Sequence, residues 1–213
     1  MNLSPATIAR ALQLNEFDGL GAQAKMKPVP RPDRRPPGRT GSPRQGAVLL
    51  LLYRKEETIH LILTRRRDDL NAHAGQISFP GGRREAVETL EQAALRETRE
   101  EVGIHPTTIS ILGELTPLYI PPSDYEVHPF VGWHDQAPVF VPQPAEVAEI
   151  LEVPLEMLLN RETRRQETWE RSGIRLDVPF YNIGQHKVWG ATAMMLSEFV
   201  ERVRMLQSNG QQV

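Results

Sequence analysis

The sequence contains no cysteine, which excludes disulfides, zinc-thiolate sites and thiol nucleophiles and leaves oxygen or imidazole as the only metal ligands. It has no excess of charge of either sign: 25 Lys and Arg against 27 Asp and Glu give a formal net charge of -2. Any site for a polyanion must therefore be local. Long apolar runs are missing as well. Ala47 to Tyr53 falls far short of the roughly 18 to 20 residues that span a bilayer, so no membrane-spanning role is expected. The N-terminus lacks the charged start and apolar run of a signal peptide, and Glu16 and Asp18 argue against a transit peptide. Gln211-Gln212-Val213 is no peroxisomal address, and the expected location is cytoplasmic. Aromatic residues make only 6% of the chain, so Trp133, Trp169 and Trp189 are expected in the core rather than as a base-stacking platform.

What is present can build one sizeable core with an appendage: 213 residues, 39% of them hydrophobic. Ser4 reads as the N-cap of a short helix through Ile8, Leu12 and Leu14 that ends at Gly19 and Gly21. Between Lys25 and Arg44, seven Lys and Arg stand among prolines, a mix that cannot bury a core and predicts an extended or mobile arm. Residues 1-45 are therefore assigned to a helix and arm, and residues 46-213 to the main domain. Residues 46-53 and 58-64 read as two buried strands, 89-102 as a helix, and 109-115 and 127-133 as strands. Val153 to Leu159 reads as a short helix, 180-183 and 186-189 as a hairpin around Gly184-Gln185, and 191-206 as an amphipathic helix. Alternating strands and helices imply layered α/β packing.

The helix at 89-102 breaks the usual pattern. At about 100° per residue, Glu97 and Glu101 fall in the same arc as Leu90, Ala93 and Ala94, which is the packed side. A charge there costs several kcal/mol unless paired or coordinated. Glu100 projects beside Glu97, so three carboxylates can share one small volume, where Mg²⁺ or Mn²⁺ would relieve their repulsion. Salt bridges to Arg96 or Arg99 are the structural alternative.

A wider window decides between them. Gly82, Glu88, Arg96-Glu97, Glu100-Glu101 and Gly103, closed by Ile104, stand at the spacing G-x5-E-x7-R-E-U-x-E-E-x-G-U. The seven fixed positions would coincide by chance on the order of 10⁻⁹ times per starting point. This pattern resembles the Nudix box, with one departure: Thr98 occupies an aliphatic position. The resemblance implies an α/β/α sandwich with a mixed sheet and a loop-helix-loop motif. In that motif Glu97, Glu100 and Glu101 hold divalent ions, and Arg96 belongs to the catalytic set. Pro80-Gly81-Gly82 can bring backbone close to a phosphate. Arg96 can reach back to Glu88 to support the loop, and Gly103 suits the left-handed helix end.

Upstream stand Leu63-Thr64-Arg65-Arg66-Arg67, then Leu70, His73 and Gly75-Gln76-Ile77-Ser78-Phe79-Pro80-Gly81-Gly82. This stretch resembles the extra signature of coenzyme A pyrophosphatases. Softer matches follow at Glu146 to Leu155 and Trp189 to Ala193. The resemblance implies coenzyme A or a derivative as a small-molecule substrate, cut to adenosine 3',5'-bisphosphate and 4'-phosphopantetheine or its acyl form. Arg65, Arg66 and Arg67 would then meet the 3'-phosphate, and Gly81 and Gly82 the substrate backbone. His73 reads as a hydrogen-bonded loop residue. Glu100, Glu146 and Glu149 remain candidates for the general base, and monomer and homodimer remain open. Other diphosphates such as ADP-ribose or a dinucleotide share the same box. A non-catalytic binding protein of this fold would be expected to lose box acids, and all remain here. Nucleic-acid binding through residues 25-44 is disfavoured because no aromatic residue interleaves the arginines.

Overall fold

The apolar run at Ala47 to Tyr53 is continuous because the strand containing it is covered on both faces. The computed structural model describes residues 3-30, 35-69, 75-171 and 173-209. In chain order it holds α1 (Pro5–Leu12), α2 (Gly19–Ala24), β1 (Arg44–Lys55), β2 (Thr58–Arg66), β3 (Ile77–Ser78), β4 (Gly81–Arg83) and α3 (Leu90–Val102). Then come β5 (Ile109–Glu114), β6 (Leu118–Ile120), β7 (Tyr125–His134), β8 (Val147–Pro154) and α4 (Leu155–Leu159). The chain finishes with β9 (Arg164–Arg171), β10 (Ile174–Ile183), β11 (His186–Trp189) and α5 (Gly190–Asn209).

One sheet runs β3-β2-β1-β7-β5, with β4 on β1, β6 on β7 and β8 on β2. It is mixed: β1 and β7 are parallel along their length, and the other pairs are antiparallel. Successive side chains of β1 serve different layers. Ala47, Leu49, Leu51 and Tyr53 pack under α3 with Ala93, Ala94 and Val102. Leu50 and Leu52 pack on the other side with Leu196, Phe199 and Val203 of α5, joined by Ile8, Ala11 and Leu12 of α1. The result is an α/β/α sandwich. The free edge of β1 is divided: Gly46 to Val48 pair with β4 and Leu52 to Lys55 with β2. At the division the Leu49 N–H donates to the Pro80 carbonyl at 2.9 Å. This opening in the ladder lies beneath α3 and positions the site.

The structure departs from the sequence reading at several points. Residues Val147–Pro154 form strand β8, so the helix expected from Val153 begins only at Leu155. A second antiparallel sheet, β11-β10-β9, contains the expected hairpin but extends it back to Ile174 and adds β9. Trp133 is buried, whereas Trp169 and Trp189 are half-buried and meet edge to face at 5.1 Å, so the core expectation fails for these two. Gly19 starts α2, capped by the Asp18 carboxylate, rather than ending a helix. The described part of the arm is not loose. Val29 exchanges backbone hydrogen bonds with Asp177 at 3.0 and 2.7 Å, and Arg35 binds the buried Asp124 at 2.6 Å. Among the described residues no helix is long and apolar enough to cross a membrane.

Candidate active site

Helix α3 is fixed at both ends by its own sequence. Thr89 and Gln92 form a reciprocal capping box, and Gly103 closes the helix at φ 79°, where its N–H donates to the Arg99 carbonyl. Thr98, the one departure from the box pattern, is fully buried and donates its hydroxyl to the Ala94 carbonyl at 2.7 Å. The turn so held brings Glu97 over β4. A Cβ on Gly82 would lie 2.4 Å from Glu97 Oε1, and one on Gly81, at φ 155°, would lie 2.4 Å from the Ala47 carbonyl oxygen. Two glycines are therefore the condition for this close approach.

Arg96 is the hub of the motif. It grips Glu88 with two hydrogen bonds, at 3.0 and 2.8 Å, and donates to the Arg83 carbonyl at 3.1 Å. Its remaining nitrogen reaches Glu97 at 2.9 Å and Glu100 at 3.0 Å. Glu88 also accepts from the Glu85 N–H at 2.8 Å, which ties the loop before α3 to the helix. The Arg96 contact holds the Glu88 carboxyl below the usual range. Glu97 is raised instead, because burial outweighs its bond to Arg96.

Glu101 is the anomalous group. It is 5% exposed; the Thr64 hydroxyl on β2 donates to it at a long 3.4 Å, and the Gly81 backbone N–H also acts on its carboxylate. Burial, then the charge of Glu97, push its carboxyl up to about 8, with Arg66 opposing and Glu146 adding. Arg66 and Glu146, 3.7 Å apart, thus belong to the same electrostatic site. Glu149 lies apart, 3.3 Å from His186. Of the arginine cluster, Arg65 is bound to Asp68 at 2.6 Å and Arg67 to Asp69 at 2.6 Å. Arg66 differs: its Nε is buried and has no hydrogen-bond partner. Leu70 and His73 lie outside the described residues.

The chemistry of this donor set fits a hard divalent cation: oxygen donors only, one carboxylate buried without a cation in contact among the described residues, and burial, with repulsion between the acids added to it, that raises two pKa values. Among the described residues no three acids or histidines converge in a ready ligand pose, and the oxygens of Glu97 and Glu100 are engaged by Arg96. The motif reading of the sequence did not single out Thr64 as a neighbour of Glu101, nor Arg66 from its two neighbours. A strand-end Thr four residues before the loop acids was the available signal for the first. Clefts of about 490 and 560 Å³ flank α3, one lined by Arg96, Arg99 and Glu100, the other by Arg83, Arg84 and Glu97.

The NUDIX domain profile matches residues 43-172, more than half of the chain. A Photorhabdus laumondii protein described as an uncharacterized Nudix hydrolase, NudL, is 37% identical over 163 residues, covering 76% of this chain and 86% of that protein. Nudix hydrolase 22, chloroplastic, of Arabidopsis thaliana is 33% identical over 72% of this chain, which spans 53% of the plant protein. Among solved structures, the Mycobacterium smegmatis Nudix hydrolase RenU superposes with a TM-score of 0.53 over 81% of this chain and 90% of its own, at 16% identity. At that identity the likeness is one of fold.

Proposed function

The chain belongs to the Nudix hydrolase family, and from that premise we propose that it hydrolyses the diphosphate bond of coenzyme A and its derivatives with the aid of Mg²⁺ or Mn²⁺. Water would add to one phosphorus as the P–O–P link breaks, giving adenosine 3',5'-bisphosphate and 4'-phosphopantetheine, or the acyl form of the latter. The catalytic machinery lies within residues 46-213, and the substrate is a small molecule met in the cytoplasm rather than a nucleic acid or a membrane. The observation that supports the chemistry is Glu101, a carboxylate buried in a packed helix face with no cationic partner in contact. The support for coenzyme A is the stretch from Leu63 to Gly82 that runs directly into the box.

Glu97 and Glu101 would hold the ion, with Glu100 as a further ligand. Such an ion neutralises charge on the cleaved phosphates and acidifies a bound water. Arg96 keeps Glu97 and Glu100 together and ties them to the Glu88 loop. Gly81 and Gly82 allow the close approach of Glu97 and the Ala47 carbonyl, and their backbone would meet the substrate's phosphates. Arg66, with its buried unpartnered Nε, offers a donor to the diphosphate. Arg65 and Arg67 would reach the substrate only by leaving their neighbouring aspartates, Asp68 and Asp69. Glu100, Glu146 and Glu149 are the candidates to accept the proton of the attacking water; Glu146 lies 3.7 Å from Arg66 and Glu149 3.3 Å from His186.

The test is incubation of the full chain with coenzyme A and Mg²⁺ or Mn²⁺, with products identified by mass spectrometry. The two phosphorylated fragments are expected. Rapid cleavage of ADP-ribose or a dinucleotide, with coenzyme A inert, would replace the substrate while leaving the diphosphate chemistry in place.

A further inference from the structure

Coenzyme A carries a phosphate monoester beyond its diphosphate, and each arginine of the upstream cluster already has an acid partner: Arg65 has Asp68, Arg66 has Glu146 and Arg67 has Asp69. A second basic surface lies beside Glu97. Arg83 and Arg84 form one wall of the cleft of about 560 Å³ that Glu97 also lines, with Arg44 and Gln45 on the facing strand. Among the described residues neither Arg83 nor Arg84 makes an ion pair. Both side chains are exposed, yet their backbone is held firmly. Arg83 pairs with Gly46 in the ladder and its carbonyl accepts from Arg96 at 3.1 Å, while the Arg84 N–H donates to the Gln45 carbonyl at 3.0 Å.

The facing wall is also fixed. Gln45 donates to Glu126 at 2.9 Å and its amide oxygen lies 2.9 Å from His128 Nε2. Arg44 lies over the Tyr125 ring at 4.2 Å, and its Nε is buried with no hydrogen-bond partner. Of the two acids that line the cleft, Glu97 is bound by Arg96 and Glu85 faces three guanidinium groups, while beyond the lining Arg84 also acts on Glu88. Arg44 also donates to the Ser123 carbonyl, so its guanidinium is held in place, while Arg83 and Arg84 are anchored through their backbone with exposed side chains. A cleft lined by these three arginines and continuous with Glu97 is suited to a dianion attached to the substrate undergoing cleavage.

We propose that Arg83 and Arg84, with Arg44, form the subsite for the phosphate monoester of the substrate, and that this cleft rather than Arg65 and Arg67 sets preference for a 3'-phosphorylated nucleoside diphosphate derivative. This rests on the diphosphatase reading above. Two measurements separate its fate from that reading. In the first, kcat/KM is determined for coenzyme A and 3'-dephospho-coenzyme A with the wild type, the Arg83→Gln/Arg84→Gln variant and the Arg65→Gln/Arg67→Gln variant. The wild type should favour coenzyme A about ten- to a hundredfold. The ratio should fall towards one in the first variant, mainly through KM, and persist in the second.

In the second measurement, binding of adenosine 3',5'-bisphosphate and of AMP to the same proteins is followed by calorimetry without turnover. Tighter binding of the bisphosphate that disappears in Arg83→Gln/Arg84→Gln supports the subsite whichever substrate is cleaved. Equal wild-type rates and equal binding of the paired ligands would overturn it and leave the diphosphatase standing. A preference that survives in Arg83→Gln/Arg84→Gln and vanishes in Arg65→Gln/Arg67→Gln would also overturn it, returning the phosphate to the upstream cluster.

Discussion

Two glutamates on opposite layers of the sandwich are buried to nearly the same degree and live in opposite circumstances. Glu198 on α5 is 0% exposed, and its oxygens accept from Gln23 Nε2 at 2.8 Å, the Thr116 N–H at 3.1 Å, the Thr116 hydroxyl at 2.9 Å and Arg202 Nε at 3.0 Å. Arg202 in turn donates to the Leu12 carbonyl at 3.1 Å, so this carboxylate fastens α1, α2 and the strand connection at Thr116 to α5. Glu101 on α3 has a long hydrogen bond from Thr64, a backbone contribution from Gly81 and, among the described residues, no cation in contact. Burial alone therefore does not mark a functional acid. The distinguishing property is the absence of compensation, because a charge removed from water without partners is held there only by the rest of the fold.

The sharpest way to break this comparison is to neutralise each acid. Glu97→Gln and Glu101→Gln should each lower turnover at least about a thousandfold while leaving a folded protein, since a metal ligand contributes several kcal/mol to the transition state. Near-normal rates in either purified variant would remove it from the ligand set. Glu198→Gln should do the reverse. Leaving Arg202 without its partner should cost roughly 3 to 5 kcal/mol in urea unfolding, with kcat unchanged in whatever protein remains folded; equal stability would mean that the cluster carries no net weight.

A finer difference appears in pH dependence. In the ion-free folded protein the Glu101 carboxyl keeps its proton up to about 8, against an ordinary value of 4.5. Folded protein thus binds the proton more tightly than unfolded chain, and this group subtracts stability as pH rises from 4.5 to about 8. In EDTA, Glu101→Gln should gain stability relative to wild type across that window, reaching a few kcal/mol, on the order of the full shift, above pH 8. A difference that does not grow between pH 5 and 8 would contradict the uncompensated burial.

The smallest effects belong to the two glycines that face these acids. A Cβ on Gly82 meets the Glu97 carboxylate at 2.4 Å, and one on Gly19 meets Thr116 Oγ1 at 2.0 Å and Glu198 at 2.8 Å. Each Ala variant should lose about 1 to 3 kcal/mol by overpacking. Gly82→Ala should in addition lose activity, and Gly19→Ala should not. Matching activity profiles for the two would erase the distinction between the layers.

The α3 side of this comparison was legible in the sequence, and of the α5 side only the helical phase of Glu198 was. Glu97 and Glu101 stood out because helical phase put them among Leu90, Ala93 and Ala94, and the box spacing then gave them a role. Glu198 sits in an equally apolar stretch between Met194 and Val203, with Arg202 four residues on, and that phase signal was there to be read. Its partners Gln23 and Thr116 are 175 and 82 residues away, beyond the reach of local pattern. The same distance hid the docking of the arm at Val29 and Arg35, where proline and arginine composition pointed to mobility. Strand β9 escaped for another reason: Arg164, Arg165, Glu167 and Glu170 give it no apolar alternation, and its place is set by pairing with β10. The split edge of β1, which opens the site beneath α3, depends on β4 and β2 meeting one strand at different registers, and no periodicity reports that.

The central claim is that the uncompensated carboxylate exists to hold a divalent ion, and Mn²⁺ titration followed by electron paramagnetic resonance tests it directly. Wild type and Glu198→Gln should bind Mn²⁺ with the same affinity, and Glu101→Gln should bind it at least about tenfold more weakly, the equivalent of one ligand's 1.4 kcal/mol or more. Unchanged Mn²⁺ affinity in Glu101→Gln would contradict the account.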